Sequence, residues 1–330
     1  GLWFVQQGEW KGAVFLYVIA TIGFMAGNIF YDSLLPSISP RDKVDYVSSL
    51  GYSLGYLGGG ILFFINVLMY LHPEWFGIID SSTAIRLSFV SVAIWWSIFT
   101  LPVILFIPEP KNETTLPLHK AIFSGFSQLK ETYNQIRKMK IIGTFLLAYW
   151  LYEDGVATII RMAVKVGSSM GFASSDLIIA ILMVQFIGFP AAILYNWFGT
   201  KIGIKNAVLF AIGFYGVATL LAYFMTDRIH FYLLAILIGC FQGGIQALSR
   251  SLYTRLIPKN KEAEFFGFYN MLGKFAAVIG PVLIGWITLA TGNVRSGILS
   301  ILILFILGAM LLRKVDFEAG EKIAHEFGKN

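Results

Sequence analysis

The sequence predicts an all-α protein that crosses a membrane several times. Hydrophobic residues make up 57% of its 330 residues and charged residues only 13%, whereas a soluble chain carries about a quarter charged residues. Apolar runs of about twenty residues, the length that spans a bilayer as a helix, recur along the chain. The single cysteine, Cys240, rules out an intrachain disulfide and a cysteine cluster for a metal.

Nine complete spans are predicted, separated by loops that hold most of the charged residues. They lie near residues 12–34, 47–71, 84–107, 141–163, 175–198, 205–225, 230–252, 266–289 and 294–313. Residues 1–5 resemble the end of one more span, so we expect an N-terminally truncated bundle.

Lysine and arginine are distributed unevenly between the two sides of the membrane. Alternate loops and the C-terminal tail hold eighteen of the 25 basic residues, whereas the opposite loops hold six. Because loops rich in Lys and Arg stay in the cytoplasm, we place that side and the C terminus there. The calculated pI of 9.2 reflects these loops and therefore does not indicate a nucleic-acid partner.

The longest loop, residues 109–140, has three spans before it and six after it. A protein with two halves of six spans each would show this arrangement if its first three spans were missing. Its apolar residues recur every three or four positions among lysines, which predicts an amphipathic helix on the cytoplasmic membrane surface. These residues are Ile122, Phe126, Leu129, Tyr133, Ile136 and Met139. The predicted domains are the remainder of the first half, 1–108, the connector, 109–140, the second half, 141–313, and a cytoplasmic tail, 314–330.

The two halves show a weak internal repeat in the register of their polar residues. A shift of 218 positions places Asn28 on Gln246 and Asp32 on Arg250. Parallel half-repeats are typical of secondary transporters, whose substrate site lies between the halves. We predict that Asp32 and Arg250 pair across the halves when the cytoplasmic side closes. The alternative is that each serves its own half, with Arg250 near Lys201.

The span at 141–163 carries three charged residues at membrane depth, Glu153, Asp154 and Arg161. Such charges usually face a cavity or a partner helix. Asp154, Thr158 and Arg161 share one helix face, and Glu153 points about 100° away from Asp154. We therefore assign Asp154 to a cavity, as a contact for a substrate amine or a proton, and Glu153 to helix packing. In the alternative, both acids lie near the outer water interface.

Two further spans, at 230–252 and 266–289, each carry polar residues along one helix face. Such a face either lines a water-filled path or holds helices together, and we favour the path. The predicted substrate-binding residues, from all of these faces, are Asn28, Asp32, Glu153, Asp154, Thr158, Arg161, Gln242, Gln246, Arg250, Asn270 and Lys274.

Six motifs, spread over essentially the whole chain, carry a family resemblance. They are Tyr31–Pro36, Gly51–Gly59, Tyr152–Arg161, Gln242–Ser251, Glu262–Asn270 and Gly273–Pro281. In these motifs the sequence resembles the autophagy-related vacuole effluxer family and its bacterial relatives. The resemblance implies the major facilitator fold of twelve helices, and transport of amino acids out of vacuoles for the eukaryotic members. It fixes no substrate for the bacterial members.

The loop at 196–205 is similar to a loop signature of the major facilitator superfamily. Lys201, Gly203 and Lys205 match the signature and are predicted to form a cytoplasmic gate loop. Thr200 stands where the signature has an acid, so a latch in this half must use another group.

These observations predict a secondary transporter that moves a small polar metabolite, an amino acid of the efflux type, by alternating access. We expect a monomer in the bacterial inner membrane, or in the vacuolar membrane of a eukaryote, with lipid around it and protons as the candidate coupling ion. No enzyme activity, cofactor or metal is expected, because the four histidines lie in or next to loops and no serine–histidine pair shares a depth. The alternative is a non-transporting scaffold or lipid-handling protein on the same fold.

Overall fold

A computed structural model describes residues 1–6, 8–107, 118–276 and 278–327, and the regular structure within these ranges is helical. Two short 3-10 turns, Leu2–Phe4 and Pro73–Phe76, accompany the α-helices. The α-helices are α1 Trp10–Ile38, α2 Val44–Leu71, α3 Ser81–Phe106, α4 Leu118–Lys138, α5 Lys140–Ser169, α6 Ser174–Ile202, α7 Ile204–Phe224, α8 Arg228–Leu256, α9 Glu262–Phe275, α10 Ile279–Thr291, α11 Val294–Leu299, α12 Ile301–Lys314 and α13 Phe317–Phe327.

Eight helical segments within the described residues are long and apolar enough to cross a membrane. They are α1, α2, α3, α6, α7, α8, the pair α9–α10 and the pair α11–α12. Helix α5 is 30 residues long, or about 45 Å at 1.5 Å per residue, and its charged residues set it apart from these eight. The chain is thus an integral, multi-pass membrane protein, while the count of nine spans stays a prediction.

Each predicted span coincides with one or two helices. The eighth span, in which Pro281 predicts a local bend, is interrupted a few residues before that proline. Helix α9 ends at Phe275 and α10 begins at Ile279. Proline disfavours the helical conformation of the residue that precedes it. Pro281 lies in the first turn of α10, where backbone N–H groups have no acceptor within the helix, so its missing N–H costs no helical hydrogen bond. The break therefore divides this span into two helices, α9 on the predicted cytoplasmic side and α10 on the opposite side.

The predicted connector helix is present as α4, and the predicted boundary at 108–109 lies outside the described residues, as do the side chains of Ile122 and Phe126. Ile136 and Met139 are buried. Thr132 Oγ1 donates a hydrogen bond of 2.6 Å to Glu264 Oε2, near the start of α9. The connector is thereby attached to the second half. The location of α4 on a membrane surface stays a prediction.

The two halves differ in how much of each helix is buried. Helix α1 buries only Asp32 and Leu35, and α3 only Ala84. Helices α5 to α8 and α12 form a continuous apolar core in the second half. Gly308 of α12 approaches Tyr152 of α5 so closely that a Cβ would lie 3.0 Å from the tyrosine Cβ. The second half is therefore tightly packed, and the polar faces of α1 and α2 contact it.

Candidate functional site

A cavity of about 370 Å³ lies between the two halves, lined by α1 and α2 on one side and by α5, α6, α8 and α9 on the other. Seven of the eleven predicted substrate-binding residues line this cavity: Asn28, Asp32, Glu153, Gln246, Arg250, Asn270 and Lys274. On α1, α8 and α9 the lining residues come as pairs four positions apart, which lie on one helix face. The polar faces predicted on these three helices therefore meet in one place. A substrate-binding role for these residues stays a prediction.

An ion pair joins the halves at one end of the cavity. Arg250 Nη1 lies 2.8 Å from Asp32 Oδ1, and the two side chains are only 5% and 10% exposed. Asn270 Nδ2 donates to the other oxygen, Asp32 Oδ2, at 2.9 Å. Arg250 also donates from Nε to Ser48 Oγ and from Nη2 to the Ser48 carbonyl, both at 3.0 Å. The predicted pairing of Asp32 with Arg250 is confirmed, while its role as a gate stays a prediction.

A second ionic contact between the halves lies nearer the predicted cytoplasmic ends of the helices. Arg255 Nη2 lies 2.6 Å from Asp45 Oδ2, and Ser251 donates a hydrogen bond to the other oxygen of Asp45. Glu321 of the tail helix α13 approaches Arg255 at 4.0 Å. Together with the Asp32–Arg250 pair, these contacts join the halves on the predicted cytoplasmic side. That they close a passage there stays a prediction.

Glu153 and Lys274 are the other two charged residues of the cavity. Glu153 is 9% exposed, and its Oε2 has no hydrogen-bond partner within the described part of the chain. The Gln246 side chain hydrogen-bonds Glu153, Lys274 lines the same cavity, and Lys274 Nζ lies 5.1 Å from the ring centre of Phe24. Within the described ranges, neither side chain has an oppositely charged partner within 4.0 Å. Both charges are thus available to a bound solute.

The assignment of Asp154 to the cavity is wrong, because Asp154 caps the break between α9 and α10. Its Oδ2 accepts a hydrogen bond from the Ile279 amide at 2.9 Å, and its Oδ1 accepts one from the Gly280 amide at 2.8 Å. Thr158 Oγ1 donates a third bond at 3.1 Å. The first amides of a helix have no partner within that helix, and a buried carboxylate is a strong acceptor for them. Glu153, assigned above to packing, lines the cavity instead.

Three further predicted residues also lie outside this cavity. Thr158 is fully buried against Asp154, and Arg161, about one turn beyond Thr158 on α5, is exposed. Gln242 lines a separate cavity of about 220 Å³ whose other lining residues are mostly apolar. Gln185 belongs to both cavities. Asp154 and Thr158 thus pack against the start of α10, and the helix face that they share with Arg161 does not line this cavity.

The predicted gate loop connects α6 and α7 to the end of α12. Lys205 Nζ donates to the carbonyl oxygens of Arg313 and Val315, both at 2.8 Å, so it caps the C-terminal end of α12. Gly203 has φ of 89°, a left-handed conformation that favours glycine. Lys201 is exposed, with its Nζ 5.9 Å from the ring centre of Trp197. A gating role for this loop stays a prediction.

Sequence reasoning missed the aromatic lining of the cavity. Its tyrosines are Tyr31, Tyr52, Tyr56, Tyr149 and Tyr269. The Tyr56 hydroxyl donates to Gln246 Oε1 at 3.0 Å across the halves, and the rings of Tyr149 and Tyr269 stack 4.1 Å apart. The spacing of Tyr52 and Tyr56 beside Gly51 and Gly55, all on one helix face, was the available signal. A Cβ on Gly51 would lie 3.1 Å from the Tyr31 hydroxyl, so this glycine admits Tyr31 to the cavity wall.

Comparison with known families identifies the chain. Residues 39–325 match the family described as vacuole effluxer Atg22 like. The chain belongs to this family. It is 36% identical to the uncharacterised MFS-type transporter YxiO of Bacillus subtilis (strain 168), over 98% of this chain and 75% of YxiO. The resemblance inferred from the sequence motifs is confirmed.

Fungal relatives match over less of their own length. Identity to autophagy-related protein 22 of Yarrowia lipolytica (strain CLIB 122 / E 150) is 29%, over 84% of this chain and 51% of that protein. Identity to the Saccharomyces cerevisiae protein of the same name (strain ATCC 204508 / S288c) is 25%, over 95% of this chain and 68% of that protein. The chain thus spans about half the length of the first of these Atg22 proteins.

Solved structures establish the fold of this Atg22-like chain. The E. coli fucose:proton symporter FucP superposes with a TM-score of 0.60 at 14% identity, over 87% of this chain and 73% of FucP. A bacterial homologue of the iron transporter ferroportin, in an outward-facing state, superposes with a TM-score of 0.55 at 15% identity, over 96% of this chain and 76% of that one. The chain has the major facilitator fold, as the motif resemblance implied.

Proposed function

We propose that this Atg22-like protein is a secondary transporter that moves a small polar solute, an amino acid, across its membrane by alternating access. The observation that supports the proposal is the polar cavity that both halves line, with the Asp32–Arg250 pair joining the halves beside it. Polar side chains inside a bilayer are costly unless they face water, a ligand or each other. A cavity of this kind between half-repeats is where secondary transporters bind their substrates.

The charges of the cavity favour an amino acid among small polar solutes. An amino acid carries an ammonium and a carboxylate, and the cavity holds one carboxylate and one ammonium without close ionic partners, Glu153 and Lys274. Amides of Asn28, Gln246 and Asn270 supply further donors and acceptors. The description of the family as vacuole effluxers agrees with export of such a solute.

Alternating access requires the cytoplasmic closure to open and close in each cycle. Opening would separate Arg250 from Asp32 and Ser48, and Arg255 from Asp45. Because α1 and α2 contribute one side of each contact and α8 the other, a rigid rocking of the two halves breaks both contacts together. The tightly packed second half suits such a movement, because its core can stay intact.

The test is a counterflow assay with the purified protein in liposomes that are loaded with one unlabelled amino acid at a time. We expect accumulation of the labelled form of at least one amino acid, and loss of that accumulation in Arg250→Ala. Arg228→Ala is the matched control, because Arg228 begins α8 at its other end and its side chain is 67% exposed. Movement of labelled lipid between leaflets without amino-acid counterflow would support a lipid-handling protein instead. Inactivity in both assays would support a scaffold.

A further inference from the structure

Among the residues that the structure describes, four charged side chains line the cavity, and their net charge is zero. Asp32 and Glu153 are acidic, and Arg250 and Lys274 are basic. The other titratable side chains in the lining are tyrosines, which are neutral phenols at ordinary pH. Charge in a low-dielectric environment is costly unless it is balanced. The cavity therefore meets this requirement with its own side chains.

Asp32 and Arg250, one of the two pairs of opposite charge, already have hydrogen-bond partners within the protein. Asp32 uses Oδ1 for Arg250 and Oδ2 for Asn270, and Arg250 also donates to Ser48 from Nε and Nη2. A solute that replaced these contacts would separate the two halves where the pair joins them. Glu153 and Lys274 differ from this pair, because they act on each other only across the cavity.

We propose that Glu153 and Lys274 select solutes without net charge, and that the transporter carries them without moving net charge across the membrane. The inference rests on the proposed function and adds a rule for selectivity. A zwitterion offers an ammonium to Glu153 and a carboxylate to Lys274, so the loaded cavity stays balanced like the empty one. A solute that lacks either group leaves one of the two charges without an opposite charge in the loaded cavity. Transport coupled to one proton would add a charge to each cycle and so make the flux depend on membrane potential.

Removing one charge should redirect selectivity in a predictable direction. Glu153→Gln leaves the cavity with a net charge of +1, which favours a solute of charge −1. Lys274→Met leaves −1, which favours a solute of charge +1. Two exposed residues of the tail helix α13 supply matched controls, Glu318→Gln and Lys322→Met, which remove the same charges far from the cavity.

The experiment uses three probes: the amino acid that the wild-type protein carries fastest in counterflow, its N-acetyl derivative of charge −1, and its amide of charge +1. Flux into liposomes is measured at 0 and at −100 mV, set by potassium and valinomycin. We expect wild-type flux of the amino acid to differ by less than twofold between the two potentials. In Glu153→Gln the ratio of N-acetyl derivative to amino acid should rise at least tenfold. In Lys274→Met the ratio of amide to amino acid should rise by a similar factor.

Binding provides a second measurement where a variant no longer transports. The shift in Tm that each probe produces in detergent should follow the same order of preference. Wild-type flux that changes severalfold with potential would overturn the inference, as would unchanged preferences in both variants, and either result would leave the proposed function standing. If the wild-type protein carries no amino acid in counterflow, both proposals fail.

Discussion

Helix α5 places two carboxylates side by side in opposite surroundings. Glu153 faces the cavity, and its Oε2 has no hydrogen-bond partner among the described residues. Asp154 faces the break between α9 and α10, where it accepts bonds from two backbone amides and from Thr158. Both acids are buried, so depth alone does not separate them. What separates them is the number of donors that the protein itself supplies.

The contrast shows how a structural acid differs from one that is available to a ligand. A buried polar group is tolerated when its hydrogen bonds are satisfied, and Asp154 meets this condition with protein donors alone. Glu153 does not, so it requires a solute, a water molecule or a nearby cation to complete its contacts. The residue that the fold leaves incomplete is therefore the better candidate for binding.

The largest expected effect concerns a third buried acid, Asp32. Like Asp154, it accepts hydrogen bonds at both carboxylate oxygens, but its donors lie in the opposite half of the protein. Asp32→Arg or Arg250→Asp places two like charges together in a site that is nearly closed to water. Breaking a buried ion pair costs about 3–5 kcal/mol. Each single variant should lose counterflow and much of its thermal stability, and the double variant Asp32→Arg/Arg250→Asp should recover part of both. Failure of the double variant to recover either property would mean that the two charges act separately.

The next prediction tests the structural role of Asp154 directly. Asp154→Ala removes the acceptor of the Ile279 and Gly280 amides, and each buried group left without a partner costs about 1–3 kcal/mol. We expect a large drop in Tm in detergent, accompanied by loss of transport. Glu153→Gln should lower the Tm far less, because its Oε2 has no hydrogen bond to lose.

The control for that variant is Asp227→Ala. Asp227 also caps a helix, accepting from the His230 amide at 3.0 Å, but it is exposed, and loss of an ordinary cap costs about 1 kcal/mol. If Asp154→Ala is as stable as Asp227→Ala, the buried cap does not hold the break together. A larger Tm loss in Glu153→Gln than in Asp154→Ala would restore the assignment made from the sequence.

The positions of the helices and the meeting of their polar faces could be predicted from the sequence, and the roles of the two acids could not. Apolar runs set the spans, and the repeat that aligned Asp32 with Arg250 predicted an ion pair now seen at 2.8 Å. A helical wheel places Glu153 and Asp154 about 100° apart, but it does not say which direction faces a cavity. That choice depends on the break between α9 and α10, whose free amides are a property of the fold. Pro281 indicated a bend, but the helix breaks a few residues before it.

A smaller effect is expected from Gly280→Ala, which crowds the same contact from the opposite helix. A Cβ on Gly280 would collide with Thr158 Oγ1 and lie 2.8 Å from Asp154 Oδ1. Overpacking of this kind costs about 1–3 kcal/mol, so the Tm should fall. Gly285→Ala on the same helix is the control, because a Cβ there meets nothing within 4 Å. Equal Tm values for the two variants would show that α10 shifts freely relative to Asp154.

The smallest effect concerns Asp80, which performs the task of Asp154 in contact with water. It begins α3 and accepts bonds from the Thr83 amide at 2.8 Å and the Thr83 hydroxyl at 3.1 Å. The Thr83 amide, followed by its hydroxyl, holds the pKa of Asp80 below its usual range. Because the folded pKa is lowered, the stabilisation is present above the unfolded value of about 4 and is lost as the pH falls through the folded value.

We therefore expect the hydrogen-exchange protection of the first amides of α3 to decrease as the pH is lowered from 6 to 3. Asp80→Asn is the control, because asparagine caps a helix about as well as aspartate but does not titrate in this range. Its protection should stay constant after correction for the intrinsic exchange rate. The same loss of protection in Asp80→Asn would assign the pH dependence to another group. Asp154→Asn should lower the Tm more than Asp80→Asn does, because its amide retains only one acceptor oxygen for the amides of Ile279 and Gly280 in a fully buried site.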